Sequence, residues 1–510
     1  MTVRSIARRA HAAVAAVAIA LSTRSAAAQE PPPIQDNHYA LELFQGPLLA
    51  PGRITGLAGA TTATAQSLEG VYNNAAAPAV REPHSLDHFE WEPSGGIAFP
   101  GAYGGTDFNN RGEKGIEQQI ERNRRLGLAR RSTVETTDRF LYLNAGLWGQ
   151  IGRFGATVTA DMLRYDVAGQ TETRPSLAVG ITRIHAVGAW GFFNNQLCVG
   201  AGVRMAYVDL NDNTKAGLIS MFGVGPQAGL IVKPQDMPWR IGLTARAPVS
   251  ASTFSLGNSI REQRDGDLLR RAGPSFIVPD RIVQPWEIEA GVAYQLGPRP
   301  LNPAWIDPIE QKNERERNVR EKRVQRLANR RAEIASMPDA SRFDRAARAR
   351  RLAEMAREEA ELRAAEDAEL KEADERLHEE RRARYLNWPR EHVLLLASVL
   401  MTGASSEAVA LEGFIDQRRE LVGSLVSVAP RFAVESEAVP NLLKTRAGIY
   451  IEPSRFRDGS SRQHFTFGFD VRVLRWNVFG IFPEHDWRVS AFLDMAERYQ
   501  NFGFGLGTWH

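Results

Sequence analysis

Long segments in which every second residue is apolar constrain this chain more than any other feature. From Gln196 to Tyr207 the apolar set is Leu197, Val199, Ala201, Val203, Met205 and Tyr207, and Gln196, Cys198, Gly200, Gly202, Arg204 and Ala206 lie between them. A helix would scatter both sets around its surface, whereas a strand sends them to opposite faces. The alternation recurs at Trp239, Ile241, Leu243, Ala245, at Trp286, Ile288, Ala290, Val292, Tyr294, and at Phe465, Phe467, Phe469, Val471, Val473. The 43 glycines point the same way, because each glycine inside a helix costs about 1 kcal/mol relative to alanine. The chain is expected to be all-β outside one insertion.

A secreted sandwich also alternates, but two details favour a transmembrane antiparallel β-barrel. The polar face mixes Arg, Glu and Asp with many glycines, as a lumen does, and the apolar face places aromatics near strand ends, as an interfacial girdle does. Segments of roughly 10 to 16 residues also exceed soluble strands and suit a tilted bilayer crossing. About fourteen strands are expected, near 93–99, 139–151, 154–167, 177–193, 196–208, 218–233, 238–254, 283–297, 390–402, 420–435, 443–453, 463–476, 485–494 and 499–509. Short links at Gly152-Arg153, Asn194-Asn195 and Pro234 to Met237 alternate with long ones at 100–138, 168–176, 209–217, 255–282 and 403–419. Bacterial barrels put short turns in the periplasm and long loops outside, so both termini are expected on the periplasmic side.

Arg4, Arg8 and Arg9, an apolar stretch from Ala12 to Leu21 and small residues at Ala26-Ala27-Ala28 form the three parts of a signal peptide over 1–28. An arginine-rich transit peptide is the competing reading. Beyond it no apolar run approaches the length of a membrane helix. The net charge of +3, with no concentrated basic face, argues against nucleic acid as a partner. A single cysteine, Cys198, excludes an internal disulfide framework and a multi-cysteine metal site; its alternation places it toward the lumen, where it is inert packing.

The mature chain divides into an N-terminal hatch or plug over 29–92, a first barrel part over 93–307, a charged insertion over 308–386 and a second barrel part over 387–510. The insertion lacks glycine, and both charge signs are interspersed in it. Glu359 with Arg363 and Glu372 with Arg376 stand at i, i+4 in the favourable order. Pro338 interrupts the pattern and Asp339 or Ser341 is placed to cap a second helix, giving helices at about 310–335 and 341–385. Leu352, Met355, Leu362, Leu370 and Leu377 make only a thin stripe, which suits a helical hairpin rather than a buried core. By the loop count it projects into the periplasm, either as a docking arm for a periplasmic protein or as a solvated insertion.

The small residues Gly56 to Ala65, then Gly70-Val71-Tyr72-Asn73-Asn74 and Ala75 to Val80, suit a segment threaded through a lumen. At these residues the chain resembles the outer-membrane long-chain fatty-acid and hydrocarbon transporter family (FadL-like). Gly56 to Ala65 resembles that family's glycine-alanine hatch motif. Asn74 with Pro78-Ala79 resembles its Asn-Pro-Ala motif, with three alanines between Asn and Pro. Gly225 to Pro234, Trp239 to Pro248, Val278-Pro279-Asp280, Gln284 to Glu287 and Gly291 to Tyr294 resemble its strands. The resemblance implies a fourteen-stranded barrel plugged by its N-terminal segment and located in the bacterial outer membrane.

The function so implied is uptake of hydrophobic small molecules, long-chain fatty acids or hydrocarbons. Asn73, Asn74 and Pro78 are the expected hatch residues. Phe276 and Ile277, within the loop Phe254 to Ile282, are expected to form either an external capture surface for ligand or a cover for the barrel rim. Outer-membrane lipid is the expected surrounding partner. No enzymatic activity, cofactor or metal is expected, since no nucleophile elbow, His-Glu-x-x-His or phosphate loop appears. His84 and His88 have a spacing that suits a metal with Asp87 or Glu90, but a surface turn is the preferred reading of the pair. Alternatives are a general polar porin and a non-transporting barrel that serves secretion or surface attachment through its helical arm.

Overall fold

The computed structural model describes residues 31–509 apart from 44–45, 82–87, 102–105, 112–136, 168–176, 213–216, 253–258, 265–266, 273–275, 306, 339–340, 458, 478 and 481–484. The segment 1–28 expected as a leader lies outside these, as do His84 and Asp87. Fourteen antiparallel strands close into a barrel. In chain order they are β2 (Phe89–Ala98), β3 (Thr137–Ile151), β4 (Phe154–Val167), β5 (Leu177–Phe192), β6 (Leu197–Asp212), β7 (Gly217–Val232) and β8 (Trp239–Arg246), then β14 (Glu287–Leu296), β15 (Val393–Thr402), β18 (Ser427–Val439), β19 (Leu443–Glu452), β20 (Arg462–Trp476), β21 (His485–Ala496) and β22 (Tyr499–Thr508). Closure pairs Gly95–Ala98 of β2 with Gly503–Leu506 of β22. It leaves no sheet edge to hydrogen-bond in a medium without water, which is what a bilayer requires.

The alternation read from the sequence faces two media. Leu147, Val158, Val203, Val224, Leu243, Val292, Val399, Phe432, Phe467 and Leu506 point outward and are exposed, whereas Gln150, Thr159, Arg204, Gln227, Thr244, Glu289, Arg431, Thr466 and Asp470 point inward and are buried. Phe154, Trp190, Tyr294 and Trp476 ring the short-turn end on the outward side, and Phe154 packs on Trp190 at 6.2 Å between ring centroids. Such an aromatic girdle marks a membrane–water boundary.

Three expectations need correction, besides the strands expected at 283–297 and 420–435, whose parts in the wall are Glu287–Leu296 and Ser427–Val439. The first strand begins at Phe89 rather than 93. It carries Pro93 there because β2 is paired on both sides only over Gly95–Ala98, so the missing proline N–H leaves no gap in the ladder. The strand expected over 238–254 ends at Arg246; the Ala247 N–H still bonds the Pro226 carbonyl, and at Pro248 the chain turns into the lumen. The continuation, β9 (Val249–Ser252), lies against the inner face of β7, where a Cβ on Gly223 would sit 2.7 Å from Val249. The third concerns the N-terminal segment, expected at the short-turn end.

Residues 31–43 lie instead at the long-loop mouth. There β1 (Ala40–Glu42) runs parallel between β13 (Arg281–Gln284) and β16 (Ala408–Val409). With β9 and β17 (Leu421–Val422) these make a five-stranded sheet. A hairpin of β10 (Ser259–Arg264) and β11 (Asp267–Ala272), extended by β12 (Phe276–Ile277), lies beside it in the same loop layer. Sewn in at the top, the chain then descends through the lumen and leaves at the short-turn end, where Arg81 bonds the carbonyls of Gly152 and His88. It folds on the way into a short helix (Gly52–Gly56) and two 3₁₀ turns (Glu69–Tyr72 and Ala77–Ala79).

The insertion forms helix α1 (Pro308–Ala335) and helix α2 (Arg342–Leu386), within a residue or two of the expected bounds. Asp307 caps the first, and Ser341 with Asp344 forms a capping box on the second. Only Ile334 is buried along both helices. The hairpin is held by pairs such as Arg323–Glu366 at 2.7 Å, Arg326–Glu366 at 2.6 Å and Lys312–Asp374 at 3.6 Å. Leu352 and Leu362 of the thin stripe remain exposed.

Candidate functional site

Inward-facing residues of β4, β5 and β6 change character halfway along. Toward the long-loop mouth they are Tyr165, Val179, Ile181, Val208 and Leu210. Two residues below Ile181 the series becomes Arg183 and His185, and on β6 Val208 gives way to Arg204. Since side chains two apart on a strand share a face, the lumen wall carries an apolar belt directly above a charged one.

Each belt lines a cavity. The outer one, of about 50 Å³, is lined by Tyr165, Val179, Ile181, Val208 and Leu210 of the wall, Leu41 and Leu43 of the descending segment, and Leu411, Glu412 and Phe456 of the loop layer. That is far below the roughly 300–1,000 Å³ of a small-molecule pocket, so a ligand enters it only as the descending segment or the loop layer moves. Its charges are largely tied up: Arg455 clasps Glu42 with bonds of 2.7 and 3.0 Å. Glu412 is the exception in character, because burial pushes its carboxyl up to about 7.

The inner cavity, of about 130 Å³, is lined by residues 46–50, Tyr72 and Asn73 of the plug and by Arg183, His185, Arg204, Arg246, Glu287, Glu289 and Arg431 of the wall. Glu287 bridges Arg204 at 3.1 Å and Arg246 at 3.3 Å. Arg431 lies 3.3 Å from Glu289, and Arg183 lies 2.6 Å from Asp161. Four guanidinium groups therefore face three carboxylates, and the chamber retains an excess of positive charge for an anion to meet.

The hatch residues expected from the sequence hold the plug together and to the wall. Asn74 donates from Nδ2 to the Thr62 carbonyl of the plug and to the Leu230 and Leu243 carbonyls of β7 and β8, while its Oδ1 accepts from the Ala76 N–H. Asn73 bonds the Gly59 carbonyl at 2.7 Å and reaches the inner cavity. The Pro78 carbonyl accepts from the Trp148 indole at 2.9 Å. Lumen-facing glycines serve this contact. A Cβ on Gly155 would lie 1.8 Å from the Pro78 oxygen, and one on Gly200 would lie 1.9 Å from the Ala75 oxygen. Cys198 is packed beneath the same segment, its sulfur 3.7 Å from the Ala79 carbonyl.

Phe276 and Ile277 do not form an external capture surface. They are 3 % and 9 % exposed; Phe276 packs on Phe414 at 5.6 Å, and the Ile277 carbonyl accepts from Tyr39 at 2.6 Å. Neither lines the two cavities, and both hold the loop layer closed over the mouth. His88, in a half-buried bend, bonds Asp307 at 3.0 Å. The arginines of the inner chamber escaped sequence reasoning, because each stands alone on its strand and only barrel closure brings β5, β6, β8 and β18 together.

Geometry and chemistry thus define a class: a transmembrane barrel of fourteen strands, plugged by its own N-terminal segment, with an apolar chamber stacked on a cationic one. Among solved structures the chain is similar to the CymD monoaromatic hydrocarbon channel, at 9 % identity and a TM-score of 0.43 over 91 % of this chain and 97 % of that one. It is also similar to the Pseudomonas putida toluene transporter TodX, at 9 % identity and a TM-score of 0.41 over 92 % and 97 %. Likeness at this level carries nothing about a site or a ligand. No family model matches the chain, and no curated protein does.

Proposed function

We propose that the protein is an outer-membrane uptake channel for hydrophobic small molecules that carry an anionic head, of the long-chain fatty-acid kind, and that it is not an enzyme. The observation that carries this is the stacking of the two chambers. An alkyl chain in the outer chamber leaves water for an apolar wall, at about 25 cal/mol per Å² buried. A carboxylate below it meets Arg183, Arg204, Arg246 and Arg431, where bidentate bonds to guanidinium are strongest. A hydrocarbon with no head group would use the outer chamber alone.

The plug occupies the lumen, so passage requires it to shift, and a ligand drives that shift only by binding the shifted state better. This favours a gated hydrophobic channel over a general polar porin. The test is binding of a long-chain fatty acid and of an alkane of equal length to purified, folded protein. Arg183→Ala with Arg246→Ala should weaken the acid at least tenfold and leave the alkane unchanged, whereas Val208→Asp should weaken both. Equal loss of both ligands in the arginine variant overturns the head-group assignment, and binding of neither ligand to the native chain overturns the channel.

A further inference from the structure

The link from β14 to the helical arm takes a route that a solvated insertion would not need. It leaves the wall at Leu296 and is pinned at Asn302, which donates to the carbonyls of Met237 and Trp239 at 2.8 Å each and accepts from Arg240 at 2.7 Å. Five residues later Asp307 bonds His88, just before β2, and Glu310 pairs with Arg153 in the β3–β4 turn at 2.9 Å. Around the closed ring, β3 lies six strands from β14, past β8, β7, β6, β5 and β4. Between Asn302 and Asp307 the link therefore passes from the β7–β8 turn to the β3–β4 turn at the short-turn mouth.

At the far end of that passage the link meets the lower end of the plug. The Arg81 side chain is fully buried. Its Nε and Nη2 donate to the Gly152 carbonyl at 3.1 and 2.7 Å, and Nη2 donates to the His88 carbonyl at 2.9 Å. Its guanidinium lies 4.4 Å from the centre of the Trp305 ring, within reach of a cation–π attraction that desolvation strengthens. Asp307, besides holding His88, accepts from the Ile309 N–H and so starts the first arm helix. One carboxylate thus belongs both to the clamp on the plug and to the root of the arm.

We propose that the link, through Asn302, Trp305 and Asp307, is a bolt that locks the plug into the short-turn mouth, and that the helical arm, rooted at Asp307, holds this bolt in place. Movement or loss of the arm root releases the Asp307–His88 bond, withdraws Trp305 from Arg81 and frees the last turn of the plug. The arm is then the control element of the channel proposed above, and this inference rests on that reading for its purpose, although not for its test.

Cys198 is the reporter. It is the only cysteine, buried on the lumen wall under Ala79, two residues from Arg81. Full-length protein folded in detergent is treated with a maleimide reagent and the labelling rate is measured. Trp305→Ala with Asp307→Ala, and separately replacement of residues 311–382 by a short Gly-Ser linker, should each label at least tenfold faster than the native chain. Trp305→Phe, which keeps a ring under the guanidinium, should label at the native rate.

Heat-modifiable gel mobility confirms that each variant retains the barrel; if the double variant loses it, His88→Ala replaces it with the same expectation. Native labelling rates in folded Trp305→Ala/Asp307→Ala overturn the bolt, and a native rate in the linker variant overturns the role of the arm. Fatty-acid binding measured on the same samples reads the channel proposal independently.

Discussion

Glu412 shows how one side chain sets conditions for the whole outer chamber. The residue is 5 % exposed. Burial, with Glu420 and Asp107 nearby, raises its carboxyl to about 7 against the opposing pull of Arg111. Between about pH 4.5 and 7 the folded chain keeps a proton that the unfolded chain has released, so stability falls as pH rises across that window and is level above it. Hydrogen-exchange protection of residues 408–422, taken relative to the intrinsic exchange rate at each pH, should therefore be lower at pH 8 than at pH 5, and Glu412→Gln should remove the difference. Affinity for an alkyl ligand should fall over the same range, since an ionised carboxylate makes the chamber wall less apolar. A smaller group has as firm a role at Gly200. Because a Cβ there would overlap the Ala75 carbonyl, Gly200→Ala should push the plug off the wall and speed Cys198 labelling at least tenfold, with the barrel still heat-modifiable.

At the scale of elements, the plug and the arm are held by opposite physics. The plug is small-residue backbone pressed on glycine wall positions, with bonds such as those of Asn74 buried from water. The arm is an ion-paired hairpin with one buried apolar residue, and exposed pairs are weak and screened by salt. Raising the salt to about 1 M, where the screening length is about 3 Å, should lower the thermal midpoint of the helical circular-dichroism signal and leave the strand signal in place. An unchanged helical midpoint would mean that something other than charge holds the hairpin.

For the whole molecule, closure of the sheet is the property on which the others depend. The barrel supplies a continuous hydrogen-bonded wall by itself, so removing residues 46–81 should leave a folded barrel with a water-filled lumen. In planar bilayers that variant should conduct ions in large steady steps while the native chain stays closed or flickers. A native-like closed trace would show that the loop layer, rather than the plug, seals the channel.

Much of this architecture is legible in the sequence, because a period of two is a local property. Wherever Val199, Val203 and Tyr207 alternate with glycine and arginine, a strand with one oily face follows, and the capping residues and charge spacing of 308–386 mark its helices as locally. The strand expected over 238–254 shows where local reading stops: the residues past Pro248 keep a strand's pattern, but their partner is β13 in the loop layer, not the wall. Phe276 and Ile277 look like a capture surface only until the loops fold over them.

What the sequence alone determined is which face of each segment meets lipid, since that depends on neighbours two residues away. Only the tertiary structure decided that Arg183, Arg204, Arg246 and Arg431 share a chamber, that the plug enters from the long-loop side, and that Trp305 lies under Arg81. Those are contacts between residues from tens to hundreds of positions apart, fixed by the order in which strands close the ring, and no local pattern encodes that order.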